Sequence, residues 1–462
     1  MFLFIIVGIL LPIYFLKLYV SYKHQKIRTQ YSVNGNDKTV AFFHPFCNAG
    51  GGGERVLWSA IKALHHQYPH HSYIIYSDRY NVEPSTIIRK ANQTFRLELD
   101  EEIMNVHFIQ LRLCWLLLAK YYPIFTLLGQ NIGSLIVGLE AMLRCPPDIY
   151  IDTIGASFTY PLFRWFGSAK VATYTHYPMI STDMLQVVAD NRSTFNNRPL
   201  IARSRFLTKI KLVYYHLLAC CYRMAGNSAN VVMVNSTWTR NHIEQLWNRT
   251  VAVVYPPCNV DNLRSLGLTN KKNNMIISLS QFRPEKNQKL QLQSISRMID
   301  ILPKNESSEK PLLVMIGSCR NEEDEQLAQN LKKQSIELGI ENCVEFKLNI
   351  VYDEMIRLME EASMAIHTMT NEHFGISVVE FLAAGLITVA HNSGGPKLDI
   401  INENETGFLA DDCDQFAHQL YRIMKLSDDD KHKIRLKARK SMEKFSQQNF
   451  EQSFRQQMSL LL

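Results

Sequence analysis

The sequence predicts an α/β protein of two Rossmann-like domains facing a cleft, preceded by an N-terminal transmembrane helix. Three observations predict it: two successive runs of alternating strand and helix, glycine- or cation-bearing loops directly after strands, and an apolar first 20 residues. At 462 residues the chain has room for two or three domains with full cores. Apolar residues are 46% and charged residues 20%, with 20 glycines and 16 prolines, which excludes a disordered or fibrous chain. The net charge of +7 suits an anionic partner but falls short of a nucleic-acid footprint, so no nucleic acid is expected. Nine cysteines without CxxC or metal-ligand spacing suggest a reduced, cytosol-facing chain. A mean hydropathy of −0.13 excludes a polytopic membrane protein.

Residues 1–20, MFLFIIVGILLPIYFLKLYV, carry a single charge at Lys17. At about 1.5 Å per residue they just span a hydrocarbon core of about 30 Å. A cleaved signal peptide would place basic residues before the apolar run, whereas here Lys17, Lys23, Lys26 and Arg28 come at its end or after it. The positive-inside rule then predicts a retained single-pass anchor with the remaining chain in the cytosol. On that orientation the sequons at Asn92, Asn191, Asn235, Asn248, Asn305 and Asn404 stay free of glycan.

From Lys38 onward, strands are expected at 39–43, 72–76, 106–110, 148–152, 169–174 and 231–234, with a glycine loop and a helix at about 54–66 after the first. The pattern restarts after a strand at 251–255 that ends in Pro256-Pro257. Strands follow at 275–279, 312–316, 344–346, 364–367 and 387–391. The predicted domains are an anchor at 1–20, a first Rossmann-like domain at 38–258, a second at 259–440, and a C-terminal helix at 441–462 packing back on the first. Two interior segments, 111–143 and 206–225, are strongly apolar. The first is interrupted by Arg112, Lys120 and Glu140; the second lies in a stretch, 191–223, with seven Lys/Arg and no acid. Interruption argues against a second span, while basic residues beside an apolar face suit docking on an anionic membrane surface or a buried helix with a solvated flank.

Four motifs carry chemistry. Asn48-Ala49-Gly50-Gly51-Gly52-Gly53-Glu54-Arg55 sits between strand and helix, where glycines permit close approach and the helix N-terminus offers free amides. It fails as a dinucleotide fingerprint and as a Walker loop, which disfavours an NAD-dependent oxidoreductase. Ser280-Gln281-Phe282-Arg283-Pro284-Glu285-Lys286-Asn287 follows a strand with two cations suited to a diphosphate. In Glu372-His373-Phe374-Gly375-Ile376-Ser377-Val378-Val379-Glu380, eight positions along a helix turn about 800°, so both carboxylates reach one side only if Glu372 precedes the helix. Ser393-Gly394-Gly395-Pro396 adds further close-approach amides after a strand.

Together these motifs resemble the GT-B fold retaining glycosyltransferases of family 4, over essentially residues 38–450. FHPFCNAGGGGERVLW (42–57), THYPMISTDML (175–185) and YPPCN (255–259) are similar to the branch of α-1,2-mannosyltransferases acting in dolichol-linked oligosaccharide assembly. The resemblance implies GDP-mannose as donor and the dolichol-diphosphate-linked Man3GlcNAc2 oligosaccharide as acceptor, extended by its fourth and fifth mannoses on the cytosolic face of the endoplasmic reticulum. It also implies a complex with other mannosyltransferases of the pathway. By the same resemblance, Arg283 and Lys286 bind the donor diphosphate, Glu380 the ribose hydroxyls, and Glu372 the mannose. The amides near Phe374 and Gly375, with Gly394 and Gly395, serve the donor; Gly51, Gly52 and Gly53 form the acceptor and diphosphate loop; His176 lies near the transferred sugar. Many relatives carry Gly-Gly-x-x-Glu, but here Asp399 comes one position late and is not carried over.

An α-linked donor and an α-linked product require retention, and no residue is an evident nucleophile for a two-step scheme. Front-face attack, with the leaving phosphate taking the acceptor's proton, is what such relatives imply. Two Asp-x-Asp matches, Asp412/Asp414 and Asp428/Asp430, read as helix starts, so no metal is expected. The alternatives are another family 4 enzyme with a different lipid-linked acceptor, or a catalytically dead membrane-anchored binding protein. Intact Arg283, Lys286, Glu372 and Glu380 argue against the latter.

Overall fold

The computed structural model describes residues 2–31, 33, 35–78, 83–97, 99, 105–180, 205–269, 271–303 and 310–462, without the side chains of 2–9, 84 and 205–210. The stretch 191–204, residues 181–185 of the THYP motif, and the sequons at Asn191 and Asn305 therefore lie outside the described residues. The chain forms two compact units. Unit 1 comprises Met1–Asn235, Thr239–Val254 and Phe450–Leu462; unit 2 comprises Ser236–Trp238 and Tyr255–Asn449.

Unit 1 is a parallel sheet of β1 (Thr39–Phe43), β2 (Ser72–Ser77), β3 (Val106–Gln110), β4 (Ile149–Asp152), β5 (Lys170–Thr175), β6 (Val231–Val234) and β7 (Ala252–Val253). Its spatial order is β3-β2-β1-β4-β5-β6-β7, so chain direction across the sheet reverses between β1 and β4. The TVAFF and IYID runs are buried on both faces, the signature of a parallel sheet covered by helices. Val40 and Phe42 pack with α2 (Gly52–Gln67) and with Phe450, Phe454 and Met458 of the C-terminal helix; Ala41 and Phe43 pack with the other layer, Val137 and Ala141 among it. Lys170 Nζ donates to Leu461 O at 2.7 Å, fixing the chain's end to β5.

The expected strand 251–255 shrinks to two residues because it is the sheet edge and runs into Pro256-Pro257, which cannot donate to a ladder. The N-terminal helix α1 (Phe2–Gln30) extends ten residues beyond the apolar run. Its last turns are tied to the sheet: Arg28 Nη1 donates to Asp148 Oδ2 at 2.8 Å, and His24 Nε2 lies 3.1 Å from Oδ1. Thr39 donates its backbone N–H and its hydroxyl to the same carboxylate, each at 2.8 Å. Burial alone would raise the Asp148 pKa, but the adjacent His24 imidazole and the hydrogen bonds from Thr39 outweigh it and hold the carboxyl well below its usual range.

Among the described residues, α3 (Thr126–Arg144) is a helix long and apolar enough to cross a membrane by length and composition. Of the three residues expected to interrupt segment 111–143, Arg112 and Lys120 precede α3 and Glu140 lies within it. One face of α3, including Gly133, Val137 and Ala141, is buried in unit 1. In α1 the charges of Lys17, Lys23, Lys26 and Arg28 share the helix with the apolar run.

Unit 2 repeats the architecture with β8 (Lys272–Leu279), β9 (Leu312–Gly317), β10 (Val344–Leu348), β11 (Ala362–His367), β12 (Ile387–His391) and β13 (Phe408–Ala410), ordered β10-β9-β8-β11-β12-β13 and all parallel. Here the reversal lies between β8 and β11. The three-residue edge strand β13 was not anticipated; it is too short to carry an alternation signal.

Candidate active site

In an open parallel sheet, loops leaving the carboxyl ends of the two strands flanking the reversal diverge and leave a crevice. In unit 2 those loops hold Lys286, in the turn Pro284–Lys286 after β8, and Glu372, in the segment after β11. Lys286 Nζ lies 2.5 Å from Glu372 Oε2, and His367 Nε2, on the last residue of β11, lies 3.3 Å from the same oxygen. Glu372 Oε1 accepts the His373 backbone N–H at 3.2 Å. Burial would raise the Glu372 pKa, but the adjacent His367 imidazole and the Lys286 ammonium prevail and hold it far below the carboxylate range. The carboxylate is thus ionised at neutral pH and accepts hydrogen bonds without being able to donate one.

Glu372 precedes α5 (Ile376–Ala383), as the turn arithmetic requires. Gly375 caps α5 at φ +108°, a conformation that a side chain would strain. Phe374 is buried at 3% exposure against Phe445, with ring centroids 5.2 Å apart, so its side chain is an anchor and its backbone is what the loop presents. Glu380 sits half-buried on the second turn of α5. Arg283 is not gathered into the cluster: its guanidinium is partly exposed and lies 3.6 Å from Glu285.

Gly394 and Gly395 pack closely against the loop that carries Glu372. A Cβ at Gly394, which has φ +64°, would collide with the Glu372 carbonyl oxygen, and one at Gly395 would collide with the Phe374 backbone. Gly395 N–H donates to Glu372 O at 2.7 Å, closing the loop that holds the carboxylate. His391 steadies the same loop, its Nδ1 2.8 Å from Ser393 Oγ and its Nε2 3.1 Å from Thr370 Oγ1. Asp399 accepts the Tyr255 hydroxyl at 2.9 Å.

At the reversal in unit 1, His44 follows β1 and Thr153 follows β4, with Nδ1 and Oγ1 2.8 Å apart. His44 Nε2 lies 3.2 Å from Glu54 Oε1 in the first turn of α2, and Glu54 Oε2 accepts the Gly51 N–H at 2.6 Å. Burial opposes ionisation of Glu54, but the His44 hydrogen bond outweighs it and lowers its pKa. Gly51 is the helix cap and Gly52 and Gly53 open α2. A Cβ on Gly53 would lie 3.7 Å from His176 Nε2 and 3.8 Å from His44 Cε1, an ordinary contact distance. His176, in the segment after β5, is half-buried, and its carbonyl accepts the Asn235 side-chain amide at 2.9 Å. The sequence reading missed His44, Glu54, His367 and His391; the available signal for His44 and His367 was a histidine at or directly after a strand's carboxyl end.

The Asp-x-Asp pairs belong to helix starts. Asp412 accepts Gln415 N–H at 2.9 Å, Asp414 pairs with Arg297 at 2.6 Å, and Ser427 caps the helix Asp428–Ser441 by accepting Asp430 N–H at 3.1 Å. Among the described residues, no group of three or more His, Cys, Asp or Glu is placed to hold a metal ion.

Residues 37–247 match the family described as ALG11 mannosyltransferase N-terminus, and residues 259–443 match glycosyl transferases group 1. The chain is 46% identical over 432 residues to the human GDP-Man:Man(3)GlcNAc(2)-PP-Dol alpha-1,2-mannosyltransferase, covering 92% of this chain and 87% of that one. The protein of the same name from Caenorhabditis elegans is 41% identical, covering 92% of both chains. Anabaena HepE, solved in complex with UDP, superposes with a TM-score of 0.62 at 15% identity, covering 91% of this chain and 100% of that one, a likeness of fold. The fold is accordingly GT-B-like, and the chain belongs to the ALG11 mannosyltransferase family of glycosyltransferases.

Proposed function

We propose that the protein is a retaining α-1,2-mannosyltransferase that adds the fourth and fifth mannoses from GDP-mannose to dolichol-diphosphate-linked Man3GlcNAc2. The observation that carries this reading is the meeting of Lys286 and an ionised Glu372 at the unit 2 crevice, in a chain 46% identical to the human enzyme of that name. Unit 2 is read as the donor half and unit 1 as the acceptor half. Arg283, partly exposed and 3.6 Å from Glu285, can swing onto a diphosphate beside Lys286. The opening turn of α5 offers amides to sugar hydroxyls, Glu380 accepts from the ribose diol, and Glu372 lies where positive charge develops at the anomeric carbon.

In the reaction the bond from the anomeric carbon to the diphosphate oxygen breaks, its electron pair leaving with GDP. The acceptor hydroxyl forms the new bond on the same face, and its proton passes to the departing phosphate oxygen. Glu372, already saturated by Lys286, His367 and the His373 amide, is poorly placed as a nucleophile, which favours this route over a two-step scheme. Positioning and neutralisation of leaving-group charge by Lys286 and Arg283 supply the catalysis, without a metal.

Unit 1 is read as resting on the endoplasmic reticulum membrane, its body cytosolic and α1 its single anchor. Leu10, Leu11, Tyr14, Phe15 and Leu18 of α1 are exposed, and so are Trp115, Ile124 and Phe125 ahead of α3 and Val213 and Leu217 on α4 (Arg205–Gly226). Phe125 and Tyr214 rings meet at 5.2 Å, joining the latter two patches, with Lys120 and Lys211 beside them. The docking of 191–223 on anionic lipid and a complex with other mannosyltransferases belong to the same reading.

Membranes containing the chain, given labelled GDP-mannose and a trimannosyl lipid acceptor, are expected to extend it by two mannoses, with activity kept in excess chelator. No extension by demonstrably folded protein overturns the assignment, and loss in chelator overturns metal independence. Glycosidase treatment is expected to leave the chain's gel mobility unchanged; a shift refutes the cytosolic orientation.

A further inference from the structure

His367 has no part in the reading above, yet it is the second cationic-capable group on the Glu372 oxygen that Lys286 also holds. Its side chain is 4% exposed and that of Glu372 is 12% exposed, so the pair is shielded from water. β8 and β11 are adjacent, and for that reason the turn bearing Lys286 and the strand end bearing His367 approach Glu372 from neighbouring loops. Lys286 also touches Met369 Sδ at 3.2 Å, while the neighbouring His391 is occupied by Ser393 and Thr370.

The ion pair creates a conflict of duties. A nucleotide-sugar diphosphate carries two negative charges and draws Lys286 toward itself, away from Glu372. A shielded carboxylate stripped of its partner is strongly unfavourable, because the remaining charge is left buried and uncompensated. Some other group must stay on Glu372 for Lys286 to be released.

We propose that His367 is the positioning residue that retains Glu372 when Lys286 transfers to the donor diphosphate, so that Lys286 is shared between carboxylate and diphosphate. The ring N–H at Nε2 keeps the Glu372 carboxylate ionised and oriented after the exchange. Donor affinity therefore depends on a residue that acts through Glu372. This inference rests on Lys286 being a diphosphate ligand.

The test is equilibrium binding of GDP to the full-length protein, which needs no turnover. His367→Phe is expected to weaken GDP about tenfold, and to raise the KM for GDP-mannose more than it lowers kcat. His367→Gln, which keeps an N–H donor, is expected to stay within about threefold of wild type, in line with the modest net worth of one hydrogen bond. In a Glu372→Gln background no carboxylate needs retaining, so His367→Phe is expected to have no further effect on GDP affinity, a coupling that a purely structural role does not produce. His367→Ala, which demands no extra space, repeats the test if the Phe variant unfolds. Unchanged GDP affinity in His367→Phe and His367→Ala, or equal losses with and without Glu372, overturns the proposal. Lys286→Ala is the separate control: if it leaves GDP affinity intact, the diphosphate reading fails first.

Discussion

The two units build the same crevice and furnish it differently. In each, the first strand and the fourth in chain order flank the reversal, β1 with β4 and β8 with β11. In unit 2 the crevice concentrates charge: a lysine and a histidine on one ionised carboxylate. In unit 1 it holds hydrogen-bonding groups beside a glycine: His44 lies between Thr153 and Glu54, with Gly53 next to His176. Charge concentrated on loops suits a dianionic leaving group, whereas a glycine beside imidazoles suits neutral hydroxyls. On the proposed function, one topology serves donor and acceptor chemistry through different loop residues.

The sharpest way to break this contrast is charge removal. Lys286→Ala is expected to lower kcat/KM for GDP-mannose by about 10³-fold, within the range for deleting a group that stabilises leaving-group charge. The unfolding midpoint is expected to move little, because His367 remains on Glu372. Removal of the unit 1 carboxylate by Glu54→Gln is expected to act mainly on acceptor KM; equal effects on donor KM from both variants would erase the distinction.

Glycine substitutions separate the crevices next. Gly394→Ala forces a Cβ onto the Glu372 carbonyl at φ +64° and is expected to cost about 1–3 kcal/mol of stability along with activity, read by denaturant unfolding and transfer assays. Gly53→Ala meets only ordinary contacts, so stability is expected to hold within about 0.5 kcal/mol while acceptor KM rises several-fold. If Gly53→Ala proves the more destabilising, the unit 1 glycine is structural.

The smallest expected effect lies away from both crevices. Asp148 is held below its usual pKa, so its stabilisation is complete above the unfolded carboxylate value of about 4 and is lost as pH falls through the depressed folded value. Asp148→Asn is expected to lower the unfolding midpoint at pH 7, with the gap from wild type closing below about pH 4. A gap independent of pH would mean that the carboxylate's charge is not what holds α1.

Legibility in the sequence follows locality. β1, β3, β6 and β12 coincide with their expected spans because β-branched and aromatic runs bounded by turn residues are local signals. Lys286 and Glu372 were legible as motif members, but their contact was not, since it depends on β8 lying beside β11, 86 residues apart along the chain. His367 and His44 looked like ordinary strand-end residues until pairing supplied their partners. Gly394 and Gly395 were recognised as close-approach positions; what approaches them is the chain's own backbone, and composition cannot say which.

The clasp of Arg28, His24 and Thr39 on Asp148 has a mechanical consequence. Asp148 precedes β4 and Thr39 opens β1, so α1 grips the amino edge of the sheet, opposite the ends that carry the unit 1 crevice. A tilt or pull transmitted along α1 loads the sheet across its full strand length before it reaches His44 or Gly53. Val20 and Ile27 of the same helix are buried in the unit 1 core, so α1 is held by packing along its inner face as well as by the charges at its end, and the crevice lies at the far ends of the strands from both.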